Sequence, residues 1–171
     1  MDEFDVGDFT PANVLLSSMD WEEILRRNPP VRVIVSVRNP LRRALSALDM
    51  YQRIGWLPES LSAKEAKGFL SSPSQQERSY VTRTIERLRG VLGDGSPRLL
   101  IVSLDEIAGD PSGVTSKLRD FLGVEVPKGS PTPVNKGGGS SRLRHLEGAL
   151  EPLFVDEREA LESICQHALV M

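Results

Sequence analysis

One cysteine, Cys165, stands in a chain of 171 residues. This excludes an intrachain disulfide and a cysteine-built zinc site. Histidine is almost as scarce: His145 and His167 are the only two, and neither lies at metal-ligand spacing from the other. No apolar run reaches the ~18–20 residues of a membrane span, and Met1-Asp2-Glu3 does not begin a signal peptide. The formal net charge is −3, so the global basic footprint of a nucleic-acid binder is missing. Before Val31 there is a single glycine, Gly7, and no lysine. That stretch therefore lacks a glycine-rich, lysine-bearing phosphate loop, and no Gly-x-x-x-x-Gly-Lys-Ser/Thr motif occurs in the chain.

With 39% hydrophobic and 26% charged residues, the chain has the composition of a globular protein and is long enough to bury a core. A single domain over residues 1–171 is expected. The most informative stretch is Val31 to Tyr51. Val31, Val33, Ile34, Val35 and Val37 form a β-branched run that predicts a strand covered on both faces. Asn39 suits a helix N-cap and Pro40 the first helical position. Leu41, Ala44, Leu45 and Leu48 then fall on one helical face. Arg38 is thereby placed at the carboxyl end of a strand, where open α/β sheets bind ligands.

One local rule is broken there. Arg42 and Arg43 sit in the first helical turn, where the macrodipole disfavours cations by about 0.3–1 kcal/mol each. An anion at the helix N-terminus would relieve the conflict. Solvation and pairing with carboxylates elsewhere would relieve it too, and both readings stay open at this point.

The remaining pattern alternates helix and strand. Asp20 with Glu23 reads as a capping box for a short helix over Trp21 to Arg27. Gly55 to Ser74 reads as a loop region with a short helix near Ala63 to Leu70. Val81, Ile85, Leu88 and Leu92 give a helical stripe, ended by Gly93 to Pro97. Arg98 to Leu104 reads as a second strand. Asp110, Pro111 and Gly123 bracket a helix whose Val114, Leu118, Phe121 and Leu122 are expected to face the core. Lys128 to Ser141 is rich in Gly, Ser and Pro. Asp156 with Glu159 starts a last helix carrying Leu161, Ile164, Cys165 and Ala168, with Cys165 read as a small core residue.

The run Arg38-Asn39-Pro40-Leu41-Arg42-Arg43-Ala44-Leu45-Ser46 resembles the 3′-phosphate-binding motif of sulfotransferases that use 3′-phosphoadenosine 5′-phosphosulfate (PAPS). Arg38, Pro40, Arg43, Ala44 and Ser46 carry the match. The resemblance continues in order along the chain. It includes Gly7-Asp8-Phe9-Thr10-Pro11, the helix Tyr80 to Leu92, the strand Leu99 to Val102, Asp105-Glu106-Ile107 with Asp110-Pro111, and Phe121-Leu122-Gly123. It ends in the loop Val134-Asn135-Lys136-Gly137.

The resemblance implies an α/β fold, a P-loop-type three-layer sandwich with a parallel central sheet. It implies that Arg38 and Ser46 bind the 3′-phosphate of PAPS, that Lys136 and Gly137 close over the nucleotide, and that a sulfonate group moves to an acceptor hydroxyl or amine. A carbohydrate acceptor is the expected partner. A full-length carbohydrate-type parent would reside in the Golgi lumen. The family's phosphosulfate loop and its catalytic His or Glu normally lie upstream of positions matched here, so the catalytic residue stays unknown. The chain looks like the carboxyl-terminal two-thirds of the family domain, incomplete on the amino-terminal side of its sheet. An exposed sheet edge and self-association through it are expected. The alternative reading is a truncated, inactive paralogue or fragment that binds adenosine 3′,5′-bisphosphate without turnover.

Overall fold

The computed structural model describes residues 7, 8, 10–124 and 142–168, with the side chains of 166–168 left aside. After a 3-10 turn at Pro11–Leu15 come α1 (Ser18–Arg27), β1 (Val33–Val37), α2 (Pro40–Arg53), α3 (Ala63–Leu70), α4 (Pro73–Ser79) and α5 (Val81–Leu92). Then follow β2 (Leu99–Ser103), α6 (Leu104–Gly109) and α7 (Pro111–Leu122). A short 3-10 and α8 (Glu147–Leu150), another 3-10 turn and α9 (Val155–Ala168) close the described chain. The domain is a mostly helical α/β structure around a two-stranded parallel sheet.

The register pairs Val33 with Leu99 and Val37 with Ser103. Side chains alternate across a strand, so Val33, Val35, Val37, Leu99 and Ile101 share one face. That face packs on Trp21 of α1, on Val81, Ile85 and Leu88 of α5, and on Leu161 of α9. The opposite face of β1 is different from the expectation. Ile34 is 39% exposed and Ser36 is exposed. The β-branched run predicted a strand covered on both faces; among the described residues β1 is covered on one. Its only described neighbour in the sheet is β2.

A second core lies beside the first. Ala44, Leu45 and Leu48 of α2 pack with Ala66 and Leu70 of α3, and with Leu146, Leu150 and Phe154 of the carboxyl-terminal segment. Leu48 is fully buried, and burial of such a side chain stabilises by about 1.5–3 kcal/mol. Helix α2 thus turns one stripe to this core, while its first turn abuts the end of the sheet.

The ends of these helices follow their sequences closely, with exceptions that have clear causes. Asn39 caps α2 by accepting from Arg42 N–H at 3.1 Å, as its side chain suggests. The capping box of α1 is Ser17 with Asp20, not Asp20 with Glu23. The helix begins a turn earlier because Ser17 satisfies Asp20 N–H and Asp20 returns to Ser17 N–H. The region Gly55 to Ser74 holds the expected α3 and the start of an unexpected α4, opened by Pro73 after Ser72. On α7, Val114 is buried and Leu118 and Phe121 are half-buried, but Leu122 is 36% exposed. Position 122 is the last residue of the helix, next to the left-handed Gly123 at φ 71°.

Candidate functional site

The site grows from the junction of β1 and α2. Arg38 follows the last strand residue, and Asn39 and Pro40 turn the chain directly into helix. Two turns on, Ser46 reaches the same place: Arg38 Nη1 donates to Ser46 Oγ at 3.2 Å. Both residues are half-buried. Arg38 forms no ion pair with a carboxylate among the described residues, so most of its planar fork of donors stays available. A phosphate monoester, with several acceptor oxygens around one centre, fits such a fork beside a hydroxyl.

Two cavities flank this turn. One, of about 240 Å³, lies at the carboxyl ends of both strands and is lined by Ser36, Val37, Arg38, Arg43, Ser79, Val81 and Leu104. The other, of about 170 Å³, lies on the far side of the first turn of α2 and is lined by Arg42, Leu45, Glu147, Glu151, Phe154 and Arg158 among others. Thus Arg42 and Arg43, adjacent in sequence, point to different cavities. Arg158 bonds Glu151 at 2.9 Å, so the second cavity carries both signs of charge. Among the described residues the first carries arginines as its charged lining.

Arg43 is the unusual member. Burial, and then the neighbouring positive charge of Arg78, pull its guanidinium below the ordinary arginine range, while Glu157 pushes it back. Glu157, on α9, is 3% exposed. Its carboxylate accepts from Thr82 N–H at 3.0 Å and from the Thr82 hydroxyl. It therefore caps α5 from another helix. Burial raises its carboxyl above the ordinary glutamate value, opposed by the bonds from Thr82 and Val81 and by Arg83.

The other candidates fall into place as follows. Lys136 and Gly137 lie outside the described residues. Tyr80 donates to the Leu153 carbonyl at 3.1 Å and its ring lies 6.4 Å from that of Phe154, so it ties α4–α5 to the carboxyl-terminal segment. His145 is exposed, with Nδ1 3.1 Å from the Arg142 carbonyl. Asp105 and Glu106 stand in the first turn of α6, where acidic residues suit the dipole, and Glu106 pairs with Lys117 of α7. Cys165 is half-buried against the sheet core. Ser79 and Glu157 carry no motif in the sequence. Two signals in the sequence drew attention to this turn: the cations Arg42 and Arg43 in a first helical turn, and the motif resemblance of Arg38 to Ser46.

Among the described residues no cluster of His, Cys, Asp and Glu could hold a metal ion, and no helix is long and apolar enough to cross a membrane. The carboxyl end of a parallel strand pair, here with an arginine and a helix start, is where open α/β sheets take their ligands. Comparison with known proteins sharpens this. The chain is similar to a solved sulfotransferase from Alicyclobacillus acidocaldarius, with a TM-score of 0.55 and 21% sequence identity. The match covers 84% of this chain and 59% of that one, so this chain spans less than two-thirds of that protein's length. The likeness is one of fold: the domain has a sulfotransferase fold. No family model and no curated protein matches the sequence.

Proposed function

We propose that this domain works in sulfonate transfer, taking PAPS as donor and holding its 3′-phosphate between Arg38 and Ser46. The observation that carries the reading is the Arg38–Ser46 hydrogen bond at the carboxyl end of β1, with the rest of the arginine fork free of carboxylates among the described residues. The sulfotransferase fold supports it. In the same reading the two strands belong to the central parallel sheet of a P-loop-type three-layer sandwich, residues 1–171 form one domain, and Lys136 and Gly137 close over the nucleotide. The acceptor is a hydroxyl or amine, on a carbohydrate.

In the reaction the acceptor oxygen or nitrogen bonds to sulfur and its proton leaves. The bond from sulfur to the 5′-phosphate oxygen breaks, and adenosine 3′,5′-bisphosphate departs with the electron pair. PAPS supplies the activated sulfonate. The contribution of this chain is orientation: Arg38 and Ser46 fix one end of the donor, which converts an encounter into a positioned reaction. Among the described residues the outer edge of β1 has no strand partner, and in this reading it pairs with a second copy of the chain, which concentration-dependent sedimentation tests.

The test of the site uses thermal unfolding of the whole chain. A ligand that binds only the folded state raises the melting temperature by mass action. Adenosine 3′,5′-bisphosphate is expected to raise it well beyond AMP, and Arg38→Ala is expected to erase the difference. Equal shifts for both nucleotides would remove the 3′-phosphate site. Incubation with PAPS and a carbohydrate acceptor then separates transfer from binding without turnover.

A further inference from the structure

We propose that the cavity at the carboxyl ends of β1 and β2 is a second anion subsite, which takes a tetrahedral sulfuryl or phosphoryl group with Arg43 as its main counter-charge and Ser79 as a hydroxyl donor. This goes beyond the Arg38–Ser46 contact, because Ser46 does not line the cavity and Arg43 does.

Four observations converge on it. First, the lining is one-signed: Arg38 and Arg43 face the cavity with Ser36 and Ser79, and among the described residues no carboxylate lines it. Second, the Arg43 guanidinium makes no hydrogen bond or ion pair among the described residues, its backbone N–H alone bonding Asn39 within the helix, although the side chain is more than half removed from water and lies near Arg78. A guanidinium in such a place is normally answered by a partner. Third, the carboxylate whose field reaches it, Glu157, does not answer it. The Glu157 oxygens are already held by Thr82 N–H and the Thr82 hydroxyl. Glu157 offsets the field at Arg43 but leaves its donors free. Fourth, Ser79 is buried at 5% exposure, lines the cavity, and its hydroxyl has no partner among the described residues. The volume, about 240 Å³, is well above the ~10–15 Å³ of such space that one water needs.

The neighbouring cavity is the internal control. It shares the first turn of α2 and has Arg42 and Arg158, yet Glu147 and Glu151 line it as well. An anion there meets carboxylates, and the arginine charge is already balanced.

The chemistry recognised is an oxyanion with three or four acceptor oxygens. It has two sources: a phosphate of the nucleotide, or a sulfate ester already present on the acceptor. The probe for the site itself is inorganic sulfate, titrated against sodium chloride at equal ionic strength, with thermal unfolding of the whole chain as the readout. Sulfate also stabilises proteins generally by exclusion from their surface, so each variant is compared with the wild type under the same salts. In Arg43→Gln the sulfate concentration giving half the specific shift is expected to rise about tenfold or more, the loss of one charge-assisted contact. Its melting temperature in chloride is expected to hold or rise, since repulsion from Arg78 is relieved. Ser79→Ala is expected to weaken the shift less, and Arg42→Gln to leave it unchanged.

If Arg43 only props up the fold, Arg43→Gln melts earlier in chloride and keeps the full sulfate-specific shift; that result overturns the proposal. So does a wild type with no sulfate-specific shift, or an Arg42→Gln chain that loses it. Two further arms assign the source. Adenosine 3′,5′-bisphosphate and a monosaccharide sulfate are each tested on Arg43→Gln and on Ser46→Ala. The ligand whose shift falls in the first and persists in the second is the one that uses the cavity, and a fall with neither overturns the assignment. A failure of the 3′-phosphate reading leaves a distinct signature: Ser46→Ala and Arg38→Ala have no effect on nucleotide selectivity while the sulfate response to Arg43→Gln remains.

Discussion

The two cavities that flank the start of α2 are built from consecutive arginines and differ in how those arginines are answered. Arg42 faces a cavity where Glu147, Glu151 and Arg158 meet, with one ion pair formed at 2.9 Å. Arg43 faces one lined by arginine, serine and apolar side chains, with no carboxylate among the described residues. The same sequence feature, a basic residue in a first helical turn, thus shares its cavity with carboxylates on one side and, among the described residues, with none on the other. A cation against the dipole is therefore not by itself a mark of a site. What marks one is the cation whose partner does not come from the protein.

Four changes would break or sharpen this contrast. The largest effect is expected from the scaffold common to both cavities. Leu48→Ala removes a fully buried side chain of α2 and is expected to cost about 2–5 kcal/mol in chemical denaturation, which loosens both sides alike. Next is Arg38→Ala, which is expected to remove about 1.5–3 kcal/mol of the stabilisation conferred by adenosine 3′,5′-bisphosphate, read from unfolding with and without ligand. Its stability without ligand is expected to change little.

Third is Glu157, behind the open cavity. Glu157→Ala strands the Thr82 N–H and hydroxyl in the interior and is expected to cost about 1–3 kcal/mol. Glu157→Gln keeps an acceptor for the N–H and is expected to be nearly neutral at pH 7. The two chains then part with pH. The Glu157 carboxyl is raised above its ordinary 4.5, so the folded chain holds that proton more tightly than the unfolded one. The stability this proton contributes is present below pH 4.5 and is lost as pH rises through the raised value. Subtracting the Glu157→Gln stability profile from the wild-type profile is expected to leave a decline that begins near pH 4.5. A flat difference would show that burial does not perturb this group. The smallest effect is expected on the balanced side: Arg158→Ala breaks an ion pair whose members are both partly exposed, and is expected to cost under about 1 kcal/mol and to leave ligand-induced shifts intact.

Much of this contrast was legible in the sequence, and the rest was not for physical reasons. Local signals worked where local chemistry decides. Asn39-Pro40 opened α2, Asp110-Pro111 and Gly123 bracketed α7, and the stripe from Val81 marked α5. The meeting of Arg38 with Ser46 follows from helical geometry once the strand end is known. Coverage of β1 did not follow from its composition. Val, Ile and Val again read alike whether one face or two is packed, and only the tertiary neighbours distinguish them. The start of α1 was misplaced because Asp20 can serve both as a cap and as the third residue of a capping box, and Ser17 won. Ser79 and Glu157 had no local signal. Their placement beside Arg43 depends on how α4, α5 and α9 pack, which no short window contains.

The carboxylate that closes the start of α5 comes from a residue 75 positions later in the chain. This has a consequence for the order in which the molecule assembles. Helix termini normally satisfy their first N–H groups from their own flank, so a helix can mature as soon as it is made. Here Tyr80 gives no side-chain cap to α5, and its first turn must wait until α9 has been synthesised. During synthesis, α5 would stack on α1 and the sheet with its amino end still hydrated. Docking of α9 would be the event that dries that end and fixes Val81 at the wall of the open cavity. The cavity would therefore acquire its final shape late, after the strands that frame it, because contacts distant in sequence carry the larger loop-closure cost.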